Sequence, residues 1–199
     1  MKKLTLNKIT AGFALLMTCQ VALATSTTAG VGGGTITFYG AVTDATCNVT
    51  TNSGSDFSVD LNPVTRSDMG STVGVISTNA KQFTLNVDGC AGFDKTSAAA
   101  QTLKITFSGG NVSEDNTYLK NSTGTSSGVG IGITEDGSKL IALNSALDSG
   151  LKTTSSDGTN YDTAPSGAIN YYANYYNYGG AAVTAGSVVT TATYTFNYD

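Results

Sequence analysis

The sequence predicts an all-β fold, a sandwich or barrel of short strands, and three observations carry that expectation. Apolar and polar residues alternate in repeated short runs, clusters of Gly, Asn, Asp and Ser separate those runs, and the long straight side chains that favour helices are scarce. A strand places successive side chains on opposite faces, so period-2 alternation is the signature of a strand with one face buried.

Four runs show it. Ile36, Phe38 and Gly40 to Val42 alternate with Thr35, Thr37 and Tyr39, and Phe83, Leu85 and Val87 alternate with Gln82, Thr84 and Asn86. Leu103, Ile105 and Phe107 form the third run, and Val129, Ile131 and Ile133 the fourth. Between them lie turn formers: Asn52-Ser53-Gly54, Asn62-Pro63, Asp88-Gly89, Gly109-Gly110-Asn111, Ser122 to Gly128, Asp136-Gly137 and the stretch from Asp157 to Gly167. Ser138 to Asp148 places Leu140, Ile141, Leu143 and Leu147 so that they would line one helix face; it reads as a short helix or an irregular loop.

The first 24 residues read as an address. Lys2, Lys3 and Lys8 precede an apolar stretch beginning at Ala11, and Ala22-Leu23-Ala24 has the small-x-small pattern of a signal-peptide cleavage site. The stretch is interrupted by Thr18, Cys19 and Gln20 and falls short of the roughly 20 apolar residues of a membrane-spanning helix. A lipidated Cys19 is disfavoured, because Thr18 stands where Gly, Ala or Ser normally precedes such a cysteine.

A mature chain from Thr25 has 175 residues, enough for one domain. It keeps seven basic side chains against fourteen acidic ones, a formal charge of −7. With no His and scattered cations it lacks the basic footprint that nucleic acid requires. Cys47 and Cys90 remain, and in an exported chain an even pair favours one structural disulfide. A thiolate zinc site is the weaker alternative, since there is neither a His nor a C-x-x-C spacing.

Catalytic readings are thin. Without His there is no usual general base for a Ser or Cys nucleophile. Asp56 with Asp60, or Glu135 with Asp136, are the carboxylate pairs a glycosidase would need, but they sit in turn-like contexts where Asp serves the backbone. Gly128-x-Gly130-x-Gly132 lacks the following helix and the Lys of a phosphate loop and reads as a strand with close backbone approach. No catalytic residue, cofactor or metal is expected. Tyr171, Tyr172, Tyr175, Tyr176 and Tyr178 are the densest local enrichment; they would either stack on sugar rings or divide between core and surface.

Three further signatures point to a family. Gly33-Gly34-Thr35-Ile36-Thr37-Phe38-Tyr39-Gly40 is followed seven residues later by Cys47, Asp88-Gly89-Cys90 follows a Phe83-x-Leu85-x-Val87 strand, and Gly186 stands fourteenth from the end with Tyr198 penultimate. Val188, Thr190, Ala192, Tyr194 and Phe196 share the parity of those last two residues. In these features the chain resembles the structural pilins of the chaperone-usher pathway, of the type 1 and F17-like kind, over essentially the whole mature sequence.

The resemblance implies an incomplete immunoglobulin-like β-sandwich that lacks its final strand and is completed by a donated one. It divides the chain into a cleaved signal peptide (1–24), an N-terminal donor arm (25–40) and a pilin domain (41–199). Gly34, Ile36 and Phe38 would point into a neighbour's groove, and a C-terminal assembly strand through Gly186, Val188, Thr190, Ala192, Tyr194, Phe196 and Tyr198 would form one wall of it. The implied partners are copies of the chain or related pilins, a periplasmic chaperone whose basic residues would take the Asp199 carboxylate, and an outer-membrane usher. The implied route is secretion across the inner membrane, periplasmic transit and assembly on the cell surface as a fimbria supporting adhesion. A minor or tip adhesin using the tyrosines on a host glycan is the alternative function. An eight-stranded membrane barrel is disfavoured by the cysteine pair and the absence of aromatic girdles.

Overall fold

The computed structural model describes residues 46–51 and 54–199, and these form an antiparallel two-sheet structure. Eight strands occur in it: β1 (Thr46–Thr50), β2 (Gly74–Ala91), β3 (Thr102–Ser108), β4 (Leu119–Lys120), β5 (Val129–Thr134), β6 (Leu147–Lys152), β7 (Gly167–Asn177) and β8 (Thr193–Tyr198). One 3-10 turn spans Gly180–Ala182. The larger sheet has the order β1-β2-β7-β5-β4 and the smaller β6-β3-β8. The expected signal peptide and donor arm, with Gly34, Ile36 and Phe38, lie outside the described residues.

Alternation explains most of these strands. In β3, Leu103, Ile105 and Phe107 are buried while Thr102, Lys104, Thr106 and Ser108 are half-exposed. In β2, Leu85 and Val87 turn inward, and in β7 Ile169, Tyr171 and Ala173 do so. Together with Phe196 of β8 they fill the space between the sheets, and Leu85, Leu103, Ile105 and Leu143 are fully buried. Burying such a side chain contributes about 1.5–3 kcal/mol. β2 is irregular between Ile76 and Lys81, where Asn79 adopts a φ of 64°, a left-handed geometry that Asn tolerates better than most residues.

β5 differs from expectation in being buried on both faces. Val129, Ile131 and Ile133 face the core as the alternation requires, but Gly130 and Gly132 are covered too. A Cβ on Gly130 would lie 2.5 Å from the Leu119 carbonyl oxygen and 2.8 Å from the Tyr118 ring, and one on Gly132 would lie 2.6 Å from Leu140. These glycines let the Tyr118 ring and the Leu140 side chain lie flat on the outside of the sheet. Ser138 to Asp148 forms no helix: it is an irregular loop leading into β6, with Ile141 and Leu143 buried. Backbone bonds from Ile141 N–H to Ile133 C=O (3.0 Å) and from Leu143 N–H to Asn116 C=O (2.8 Å) take the place of helical ones.

The strands define two ends. At one, β2 begins with Gly74 opposite Asn177, and the loops 121–128 and 178–189 close over it. At the other, Thr46 of β1 lies opposite Ala91, and Tyr198 of β8 lies opposite Leu103. Cys47 and Cys90 are joined there in a disulfide across a separation of 43 residues. Phe93 packs on Tyr198 at 5.7 Å between ring centroids.

Two outcomes follow. Gly130→Val would drive a side chain into the Leu119 backbone, and chemical denaturation should show a loss of about 1–3 kcal/mol. Replacing Cys47 and Cys90 with Ala together should cost about 2–4 kcal/mol in the same measurement, by freeing the unfolded chain.

Candidate assembly surface

The C-terminal strand carries the features that bear on function. β8 is held by β3 on one side, in the register Leu103 opposite Tyr198 through Ser108 opposite Thr193. Its second edge has no strand partner among the described residues, and neither has the outer edge of β1. The irregular segment after β1 approaches this side: Phe57, Val59 and Leu61 pack onto the core, the Phe57 and Tyr194 rings stand 6.5 Å apart, and the Tyr194 hydroxyl donates to the Ser55 carbonyl at 2.7 Å.

The residues expected along the C-terminal strand divide into two groups. Phe196 is buried, and Val188, Tyr194 and Tyr198 are half-buried against the core. Gly186 and Ala192 are exposed, and regular strand begins only at Thr193, so the strand is shorter than the Gly186–Tyr198 span. The reason lies in the bonds of the preceding segment. Ser126 N–H donates to the Ser187 carbonyl (3.0 Å), Ser122 N–H to the Val189 carbonyl (2.8 Å), and Val189 N–H to Asn121 Oδ1 (2.8 Å). Residues 184–189 are thus tied to the 121–127 loop. Gly186 and Gly124 permit that close approach: a Cβ on Gly186 would lie 2.5 Å from Ser126 N, and one on Gly124 would clash with the Ser187 carbonyl.

Two buried hydroxyls in this region, on Thr190 and Tyr198, have no hydrogen-bond partner among the described residues. A buried hydroxyl left unpaired costs about 1–3 kcal/mol. Burial also holds the Tyr198 phenol above its ordinary range, and the Tyr194 phenol likewise, with Asp56 adding to the second. The Asp199 side chain pairs with Lys104 at 2.5 Å, an exposed contact of small energetic weight.

The tyrosine-rich strand splits by parity. Tyr171 and Tyr175 point inward; Tyr172, Tyr176 and Tyr178 point outward, with Tyr176 covered and Tyr178 exposed. Tyr171 meets the Phe107 ring edge-on at 5.1 Å, and burial, with Glu135 and Asp148 adding, pushes its phenol up to about 12. Outside the sheet Tyr118 stacks on Tyr176 at 4.6 Å and on Tyr178 at 5.0 Å. Sequence reasoning missed that stack because Tyr118 is remote in the chain; the outward parity of Tyr176 and Tyr178 is the half of it that spacing reveals.

The carboxylates serve turns. Asp136 Oδ1 accepts from the N–H groups of Lys139 (2.7 Å) and Ser138 (2.9 Å), and Glu135 pairs with Lys139 at 2.7 Å. Hydrogen bonds hold six aspartates below the usual carboxylate range. The leading donors are the hydroxyls of Thr65 for Asp68, Thr96 for Asp94, Ser113 for Asp115 and Ser156 for Asp162. For Asp136 and Asp157 they are the backbone N–H groups of Lys139 and Thr159. Asp56 and Asp60 are exposed on the segment whose Phe57, Val59 and Leu61 pack inward. Among the described residues no group of three or more His, Cys, Asp or Glu is placed to hold a metal ion.

Residues 36–199 match the family model described as fimbrial protein. The chain belongs to that family. A curated relative, the major fimbrial subunit SMF-1 of Stenotrophomonas maltophilia (strain K279a), is 32% identical over 168 residues, which cover 83% of this chain and 92% of the relative. Among solved structures, the P pilus rod subunit PapA superposes with a TM-score of 0.54 at 23% identity, over 77% of this chain and 99% of that one. A chain from a chaperone-usher pilus structure concerned with rod uncoiling gives 0.52 at 23% identity, over 85% and 97%. These two likenesses establish a pilin-type sandwich fold. The family and the curated relative make the role of the chain structural, a subunit of a surface fimbria and not an enzyme. They support a tip-adhesin role less.

The inward Tyr171 links stability to alkaline pH. Its phenol ionises near 10 when unfolded and near 12 when folded, so the native state binds the extra proton between those values. The stabilisation is complete below pH 10 and is lost as pH rises through 12. Denaturation midpoints should fall steeply over that window, and Tyr171→Phe should flatten the fall.

Proposed function

We propose that this chain is the repeating subunit of a chaperone-usher fimbria and polymerises by handing its N-terminal arm to a neighbouring copy. The observation that carries the reading is β8: a strand whose inward side chains reach the core, whose second edge has no strand partner among the described residues, and whose Tyr198 hydroxyl is buried and unpaired. An open strand edge beside apolar core is a template for strand addition. A donated strand supplies the missing backbone partners and covers the core in one step.

Gly34, Ile36 and Phe38 are the arm residues we assign to that contact. Ile36 and Phe38 would each contribute about 1.5–3 kcal/mol on burial, and Gly34 would permit close approach of the backbones. Residues 1–24 would direct export across the inner membrane. In the periplasm a chaperone would cover the β8 edge first, and the arm of the incoming subunit would replace it at an outer-membrane usher. Gly186, Val188, Thr190, Ala192, Tyr194, Phe196 and Tyr198 would line the chain's own side of the exchange, and Cys47–Cys90 would hold the root of the arm to β2.

Deleting residues 25–39 tests this reading. Chaperone-bound subunits without the arm should take up a synthetic peptide of residues 30–40 and yet extend no fibre, and Phe38→Asp in that peptide should slow or abolish uptake. A subunit that stays a stable monomer without its chaperone and takes up no peptide would refute it.

A further inference from the structure

We infer that Tyr118 and Tyr178 form an oxidative cross-linking site, at which hydrogen peroxide acting through a haem peroxidase joins the two rings by a carbon–carbon bond. The site lies on the outer face of the larger sheet and does not depend on strand donation.

Its rings come from strands that are not neighbours. In the order β1-β2-β7-β5-β4, Tyr118 leads into the edge strand β4, Tyr176 lies in β7 and Tyr178 just beyond it, with β5 between them. Gly130 of β5 stands opposite Tyr176, and a Cβ there would lie 2.8 Å from the Tyr118 ring. The missing side chain lets Tyr118 reach across β5. It stacks on Tyr176 with centroids 4.6 Å apart and planes 10° apart, and on Tyr178 at 5.0 Å and 13°. Among the described residues no other two tyrosine rings meet: Tyr171, Tyr194 and Tyr198 have phenylalanine neighbours.

This geometry suits a reaction between the rings better than a sugar, because Tyr118 spends its stacking on two other tyrosines. Exposure selects the reacting pair. Tyr178 is 36% exposed and Tyr176 only 8%, so an oxidant in solution reaches Tyr178. Tyr176 is also fixed in register on both sides, opposite Val75 and Gly130, whereas Tyr178 lies past the last paired residue, Asn177. It therefore has room for the small turn that brings ring edge to ring edge.

The electrons balance without any group in the chain acting as oxidant. The peroxidase reduces one hydrogen peroxide to two waters, taking one electron and one proton from each of two phenol hydroxyls. Each resulting phenoxyl radical shares its unpaired electron with the ring carbons ortho to oxygen. One such carbon on each ring joins in the new bond, and the hydrogen it carried moves to its own oxygen, restoring two phenols. Rings already in contact turn the meeting of two short-lived radicals into a step within one molecule. The product staples β4 to the end of β7. β4 is an edge strand held to β5 at two register positions, Leu119 opposite Ile131 and Lys120 opposite Gly130, so it gains a covalent tie where the sheet is least paired. Like a disulfide, the bond closes a long loop and restricts the unfolded chain.

The test uses fibres of the full chain treated with a haem peroxidase and hydrogen peroxide, then dissociated and digested. Dityrosine fluorescence should appear on single subunits, and fragmentation of the cross-linked peptides in a mass spectrometer should place the bond between Tyr118 and Tyr178. The temperature at which treated fibres dissociate should rise. Tyr118→Phe and Tyr178→Phe each keep a ring in the stack and remove a hydroxyl, so each should lower the fluorescence several-fold and abolish that rise, while Tyr161→Phe should change neither. No dityrosine in the parent, fluorescence that survives both stack variants, or bonds found only between subunits or at other tyrosines would each overturn the inference.

Discussion

The domain depends on how a three-stranded sheet is held against a five-stranded one. β6, β3 and β8 have Leu103, Ile105, Phe107 and Phe196 on their inner side, and these interlock with Leu85, Val87, Ile169 and Tyr171 of the opposing sheet. Burial is what holds the small sheet in place, and β8 is its edge. Every property of β8 therefore matters twice: its inward residues belong to the core cluster that joins the sheets, and its outer backbone edge has no strand partner among the described residues.

That arrangement explains why a structural subunit can be made from so few special residues. A strand edge open beside apolar core is a template for strand addition, and in the assembly proposed above that addition would supply the free energy for polymerisation. Many polar side chains are occupied within the domain. Six aspartates accept hydrogen bonds from Ser or Thr hydroxyls or from backbone N–H groups in turns, and Asn174 and Asn177 donate from inside the fold to the carbonyls of Gly137 and Met69.

Much of the fold was legible because strands announce themselves by parity. Leu103, Ile105 and Phe107 alternate in the sequence and alternate in burial, and the same parity divides Tyr171 and Tyr175 from Tyr172, Tyr176 and Tyr178. Two segments were less legible. Ser138 to Asp148 has a helix-like spacing of leucines, yet its backbone bonds go to Ile133 and Asn116, which local pattern does not reveal. The alternation from Gly186 suggested one long strand, whereas the backbone up to Val189 is captured by the 121–127 loop, a partner some 60 residues away. Phe57, Val59 and Leu61 form a period-2 run interleaved with the carboxylates Asp56 and Asp60, and packing on the core places that run where local charge suggests a loop.

By itself the sequence determined the β class, the pairing of Cys47 with Cys90 and the parity of the core, because these depend on composition, on the number of cysteines or on neighbours one or two residues apart. Tertiary structure decided which strands stand at the edges, why Gly130 and Gly132 are glycines, and that Tyr118, Tyr176 and Tyr178 form one stack. Those facts depend on contacts between residues far apart in the chain. A hydrophobic pattern says which face of a strand is buried; only packing says what covers it.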